Sequence, residues 1–421
     1  MSLPSSPSTR DTTAAPAASL WRNRDFVVLW SGQAVSALGS RISDIGLALV
    51  VLAISHSAAQ VAFIASVEAL PFLLLTLPAG VLMDRWDRKR VMLASDIGRA
   101  VCLASIAGAL AIGRLTMAQL YIVALVEGSF ATLYNLAALA GMHRVVPASQ
   151  LGKASSANYI SGNSASLVGP PIGSVLFAAA RAAPFIADAL SYLGSVVSLL
   201  WVRSALQEHR DAAQADSGRA LFTTLAAGFR WMWRQPVLRF QAVAGCVASF
   251  ALYPLTPLAI ALAVHMRAPQ ASIGLMFTLG AVGGLAGGVV GSGIQRRLRF
   301  GLLMSLHFAL LGAIFLGFIF AGSIVWLGVC LAAISLVEAV GSIANIAYRL
   351  AHTPDAYQGR VNSIHRFVGF GVGRPLGAAA LGLLLARVGL HPSILVFAGV
   401  LAAFALATIL YTPVRALSSL D

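Results

Sequence analysis

The sequence predicts an all-α membrane protein: twelve transmembrane helices in two pseudo-symmetric six-helix bundles. Three observations carry this. The chain of 421 residues is 58% hydrophobic and only 10% charged, with a mean hydropathy of +0.83, where a soluble domain carries about a quarter charged residues. The apolar residues fall into successive stretches of the length needed to cross hydrocarbon, about 20 residues each. The chain also repeats itself: Leu125-Val126-Glu127 recurs as Leu336-Val337-Glu338, each inside a long apolar run.

The elements follow in order. Residues 1–24 are rich in Ser, Thr, Ala and Pro, without the apolar core of a signal peptide, and read as a flexible cytoplasmic tail. Spans are expected at 26–54, 59–83, 91–112, 117–142, 156–180 and 184–203, forming a bundle over 25–203. A hydrophilic linker, 204–239, ends in a Trp-, Phe- and Arg-rich segment that reads as a helix on the inner membrane surface. Spans at 240–265, 271–294, 301–321, 323–349, 362–386 and 392–411 form a second bundle over 240–411, and 412–421 is a cytoplasmic tail. No stretch alternates as a barrel strand would.

The net charge of +14 resembles a nucleic-acid signal until it is placed. Arg10, Arg22, Arg24, Arg85, Arg88, Lys89, Arg90, Arg144, Lys153, the group from Arg203 to Arg239, Arg296, Arg297, Arg299, Arg349, Arg360, Arg366 and Arg415 are expected on one side of the predicted spans; Arg114, Arg181, Arg267 and Arg387 fall on the other. The asymmetry sets both termini on the cytoplasmic side and leaves no basic face for nucleic acid. Cys102, Cys246 and Cys330 lie in apolar runs without metal or disulfide spacing. No phosphate loop accompanies the glycine-rich run of the eighth span, so an ATPase, and with it any cofactor, is not expected; the run reads as a close-packing surface.

The repeat is more than one tripeptide. Gly80 to Leu93 aligns with Gly291 to Met304 at the same offset, and Gly169-Pro170-Pro171-Ile172-Gly173 resembles Gly373-Arg374-Pro375-Leu376-Gly377. Matches in the same order indicate internal duplication.

The loop Gly80-Val81-Leu82-Met83-Asp84-Arg85-Trp86-Asp87-Arg88-Lys89-Arg90 resembles the signature loop of the major facilitator superfamily, with Asp87 where that family often has Gly. Stretches such as LWRNRDFVVLWSGQAVSALGS, Ser95 to Ala100 and Gln358-Gly359-Arg360-Val361 resemble the bacterial branch that contains macrolide exporters and the enterobactin exporter. Gly169, Pro170 and Gly173 are similar to the Gly-Pro motif of antiporters, with Ala165 in place of a further Gly. The usual arginine of the fourth span is absent, and Ala124 stands there. The resemblance implies that spans one, four, seven and ten line a central cavity.

Ionisable residues at membrane depth are costly, at about 3 kcal/mol or more each, and mark function. Asp44, Glu127 and Glu338 lie on spans that the resemblance places on the pathway, as candidates for exchanging protons with cargo. Arg374, between Gly373 and Pro375, is expected to pair with Glu338 or to meet an anionic substrate. Phe250 and Tyr253 are candidate stacking residues, beside Pro254 and Pro257, which should bend the seventh span. Asp96 and Arg99, three apart, are expected to pair with each other. Glu68 reads as a protonated acid bonded to a neighbouring helix, and His307 as a packing residue. The loop residues Gly80, Asp84, Arg85, Arg88 and Lys89 read as a gate latch, with Asp84 a candidate cap for the eleventh span near Val361.

The expected function is secondary active transport: proton-coupled efflux of an amphipathic small molecule, such as a drug, siderophore or secondary metabolite. The partners are that substrate, protons and the lipid bilayer, and the expected state is a monomer. An uptake symporter for a small metabolite shares the same composition, and a non-transporting membrane scaffold would instead keep its acids paired.

Overall fold

A computed structural model describes residues 19–207 and 229–412. Every regular element among them is helical. Six long helices come first: α1 (Arg24–Ser55), α2 (Ala58–Arg85), α3 (Arg88–Ala111), α4 (Met117–Val145), α5 (Leu151–Ala179) and α6 (Ala183–Trp201). Their ends follow local rules. The side chains of Asn23, Asp87 and Thr116 accept hydrogen bonds from otherwise unpaired amides in the first turns of α1, α3 and α4. The turn after α3 passes through Gly113 at φ 66°, a conformation that glycine adopts without a Cβ penalty.

The second six begin with α7, which runs Pro236–Leu252, breaks at Tyr253 and Pro254, and resumes over Leu255–His265. The break is the bend expected from the prolines. Then come α8 (Gln270–Arg297), α9 (Phe300–Gly317), α10 (Ile324–His352), α11 and α12 (Leu390–Leu410). The helix α11 has three parts: Asp355–Arg366, a π-helical Phe367–Gly373, and Arg374–Arg387. The π segment ends just before Pro375, whose missing N–H and ring clash disrupt the regular ladder there. Eleven of these spans are long and apolar enough to cross a membrane by composition. The remaining long helix, α5, carries Pro170 and Pro171.

Packing repeats with the sequence. In the first bundle α1 packs on α5, α2 on α4, and α3 on α6; in the second α7 packs on α11, α8 on α10, and α9 on α12. Glycine makes two of these seams close. A Cβ on Gly283 would stand 2.0 Å from the Ala332 carbonyl oxygen, and one on Gly287 2.5 Å from that of Leu336. The glycine-rich run is therefore the packing surface the sequence suggests. Gly169 and Gly173 do the same on α5, where a Cβ would meet Arg41 Cβ at 2.4 Å and the Ile42 oxygen at 2.5 Å.

The bundles meet through α2 on α11 and α5 on α8. Ser66 Oγ donates to the Pro375 carbonyl at 2.8 Å, Gly382 lies against the Phe63 ring, and Gly274 lies against Pro171. In the linker, residues 229–234 are helical and dock on the start of α11: Trp231 stacks on Tyr357 at 4.4 Å, and Met232 is buried with Leu238 and Val361. The rest of the expected surface helix, up to residue 228, lies outside the described residues, as do residues 1–18 and 413–421; the end of the expected N-terminal tail is instead ordered, with a 3-10 turn at Leu20–Arg22 that buries Leu20.

Candidate functional site

Between the bundles lies a cavity with two adjoining lobes of about 890 and 500 Å³. Arg41, Asp44, Glu68 and Arg366 border both lobes. The larger is walled by α1, α2, α7, α9, α10 and α11; the smaller lies among α1, α3, α4 and α5. Its size suits a drug-sized molecule.

Each bundle places an acid of its fourth helix near a base of its third: Glu127 is ion-paired, while Glu338 Oε2 makes no hydrogen bond of good geometry. In the first bundle the Arg99 guanidinium on α3 meets Glu127 Oε1 on α4 at 2.6 Å. The pair is 11% and 14% exposed. The guanidinium also lies 4.1 Å over the Tyr192 ring of α6, whose hydroxyl bonds Ser40 on α1. In the second bundle His307 Nε2 on α9 lies 3.4 Å from Glu338 Oε2 on α10. His307 Nδ1 is 3.1 Å from the Val337 carbonyl. A carbonyl only accepts, so Nδ1 carries a hydrogen, and the state of Nε2 depends on a further proton.

Two expected pairings are therefore corrected. Asp96 does not pair with Arg99. Asp96 is fully buried beside Ser195 of α6, with neither oxygen in a hydrogen bond of good geometry, while Arg99 spans the gap to Glu127. Two residues three apart on one helix can meet, but an acid on the adjacent helix lies within reach of the longer arginine. Arg374 does not pair with Glu338, because Glu338 faces His307. Arg374 instead lays its guanidinium on Phe370 at 4.0 Å and near Tyr253 at 5.4 Å.

Phe250 is also corrected. It stacks on Phe397 of α12 at 5.3 Å, turned away from the cavity and into the core of its bundle. Tyr253 does line the cavity, and its hydroxyl donates to the Ala65 carbonyl of α2 across the bundle interface at 3.3 Å. Asp44 lines both lobes and accepts from Arg41 Nη1 at 3.0 Å, an i,i+3 pair. His307 is buried and hydrogen-bonded to Val337, in keeping with a packing residue, and also lies beside Glu338. Glu68, read from sequence as a helix-bonded acid, borders both lobes with no hydrogen bond or ion pair among the described residues. The signal that could have found it was already present: an acid in mid-span on a helix that meets the other bundle.

Of the loop's cations, Arg88 and Lys89 make contacts within the first bundle. Arg88 Nη1 donates to the carbonyls of Ala140 and Leu206 at 3.1 and 3.2 Å, and Lys89 Nζ to that of Val202 at 2.7 Å. These cations tie the start of α3 to the chain at the ends of α4 and α6, where free carbonyls and the helix dipole favour positive charge. The side chains at Gly80, Asp84 and Arg85, and the expected cap near Val361, lie outside the described residues. Gly169 and Gly173 act at the α1–α5 seam, where they bring α5 against Arg41 and Ile42, and Pro170 lies between them inside α5. All three cysteines are free.

The family model for the Major Facilitator Superfamily matches residues 29–378. The chain is 27% identical over 237 residues to the "uncharacterized MFS-type transporter YfiS" of Bacillus subtilis, covering 55% of each chain. It spans about half the length of that relative. It is 24% identical over 368 residues to the enterobactin exporter EntS of Salmonella typhimurium, covering 85% of this chain and 84% of the relative. Among solved structures, a bacterial homologue of the lysosomal transporter Spinster, inward-facing and occupied, superposes with a TM-score of 0.73 at 12% identity over 94% of this chain and 98% of that one. A bacterial homologue of ferroportin, inward-facing, gives 0.69 at 19% identity over 94% of this chain and 99% of that one. These two likenesses are of fold.

Proposed function

The chain belongs to the major facilitator superfamily, and on that premise we propose that it is a proton-coupled exporter of an amphipathic small molecule in a bacterial inner membrane, with both termini inside. The observation that carries the reading is the cavity, enclosed by both bundles and lined by Asp44, Glu68, Glu127 and Glu338. Ionisable groups at membrane depth are expensive to keep and serve transport when they exchange charge between two sides.

The proton acts at Glu338. With Nδ1 of His307 committed to Val337, one proton between Nε2 and Glu338 makes the contact attractive, and its loss leaves a lone pair facing a carboxylate. The Arg99–Glu127 pair cannot serve in this way while it stays closed, because arginine keeps its proton. Asp44 and Glu68 border the joint between the lobes, where cargo would pass. Alternating access follows from rocking about the α2–α11 and α5–α8 contacts, the seams that join the bundles. Each chain holds a complete cavity between its own halves, which supports a monomer. Export, as opposed to uptake, is supported by the similarity to enterobactin exporters and by the Gly-Pro motif on α5.

The test uses everted vesicles containing the protein, with a catecholate siderophore and a lipophilic dye as probes. Accumulation that rises on energisation and collapses when the pH gradient is dissipated is expected. Accumulation indifferent to the pH gradient removes proton coupling. Probe movement in the opposite sense in intact cells identifies an uptake symporter.

A further inference from the structure

The two walls of the cavity differ in charge. On the first-bundle wall the charges are matched: Asp44 is held by Arg41 at 3.0 Å, and Glu127 by Arg99 at 2.6 Å. Glu68 adds one further acid. On the second-bundle wall stand Arg349, Arg366 and Arg374, against the one acid Glu338, which faces His307 at 3.4 Å. None of these three arginines makes an ion pair with a carboxylate among the described residues.

The surroundings of Arg374 and Arg349 orient them without neutralising them. Phe370 lies 4.0 Å under the face of Arg374, which leaves the N–H edge free for other partners. Arg349 donates Nε to Asn362 Oδ1 at 2.8 Å, while its buried Nη1 has no hydrogen-bond partner. A buried donor of this kind is costly to leave unpaired. The apolar side chains Met304, Phe308 and Phe370 share the same wall. Oriented guanidinium edges beside apolar surface are the complement of an oxyanion attached to an apolar body.

We propose that this wall of α10 and α11 docks the acidic headgroup of the cargo, so that the protein carries organic anions: molecules with a carboxylate, phosphate or similar oxyanion on an apolar or aromatic frame. The inference rests on the reading of the inter-bundle cavity as the cargo site. Arg374 is the central ligand, with Arg366 and Arg349 completing the field. Glu68 is the carboxylate left on the opposite wall, and an arriving anion takes the positive field that it faces.

A matched pair of probes tests this: 1-naphthaleneacetate and its neutral amide, which share one apolar body. Binding is measured at equilibrium on the full-length protein in nanodiscs, without any gradient. The anion is expected to bind about tenfold or more tightly than the amide, as charge-assisted hydrogen bonds warrant. Arg374→Gln and Arg366→Gln should each remove most of that preference and leave amide binding within about twofold; Arg374→Lys should retain part of it, and Arg387→Gln, at the far end of α11, all of it. Equal binding of the two probes, no binding of either, or a preference that survives both Gln variants overturns the anion assignment. Ala248→Trp, which fills the cavity, separates the two readings. If it leaves probe binding intact, the cavity is not the site; if it blocks both probes equally tightly bound, the cavity stands and the anion preference falls.

Discussion

His307 and Glu338 stand side by side: Nε2 and Oε2 are 3.4 Å apart, while Nδ1 is committed to the Val337 carbonyl at 3.1 Å. Glu338→Gln should keep the contact, because an amide can donate to Nε2, and remove its dependence on protons. The expected outcome is exchange of cargo down its gradient at a near-normal rate, with proton-driven accumulation reduced about tenfold or more. Counterflow and gradient-driven uptake in proteoliposomes, each measured across pH, check this. A variant whose transport keeps the wild-type pH profile would take Glu338 out of the coupling.

Arg99 and Glu127 form the corresponding contact of the first bundle, and its character is different. Arginine keeps its proton, and both partners are nearly buried. Glu127→Gln should strand Arg99 in the bundle and destabilise the protein by about 3–5 kcal/mol. Replacing both, Arg99→Gln with Glu127→Gln, should recover much of that loss. Thermal unfolding in detergent reads the difference; equal destabilisation by the single and double variants would show that the pair is not coupled.

The α8–α10 seam offers a contrast between two glycines on one helix. Gly283→Ala puts a Cβ 2.0 Å from the Ala332 carbonyl oxygen, while Gly288→Ala meets nothing within 4 Å. The first should cost about 1–3 kcal/mol through overpacking. The second should be neutral or slightly stabilising, since alanine is the better helix former. Comparable melting temperatures for the two variants would contradict the close packing.

Alternating access requires α2 and α11 to part where Gly382 meets Phe63. With the native cysteines replaced by serine, Phe63→Cys and Gly382→Cys joined by a short bis-methanethiosulfonate, which forms a disulfide to each thiol, should stop transport, and reduction of those disulfides should restore it. Full transport by the cross-linked protein would leave that contact outside the cycle.

Much of this protein was legible as a string of residues because oil is an unforgiving solvent. A backbone that crosses it must be helical, so long apolar runs and their basic flanks announce spans one by one. The same penalty made Glu127, Glu338 and Arg374 conspicuous. Tyr253 was found for a local reason, the proline beside it that breaks α7.

The partners of those residues were not legible. Asp96 lies three positions before Arg99, yet Arg99 reaches Glu127 because α3 packs against α4 as well as α6. Arg374 looked matched to Glu338, but the α9–α10 contact gives Glu338 to His307 and the π segment sets Arg374 beside Phe370. Phe250 and Tyr253 are three residues apart, and only the orientation of α7 sends one to Phe397 and the other to the cavity. That Glu68 faces the cavity between the bundles is a property of how the two halves sit together, which its own segment does not carry.

By itself the sequence determined that the chain is a helical, duplicated membrane protein with charges at its centre, since hydrophobic length and the cost of buried charge are properties of single segments. The tertiary structure alone decided which base meets which acid and which arginines stay without one. Those choices depend on the rotation and spacing of neighbouring helices, set by close glycine seams and by a shift of about 100° in direction for each residue along a helix.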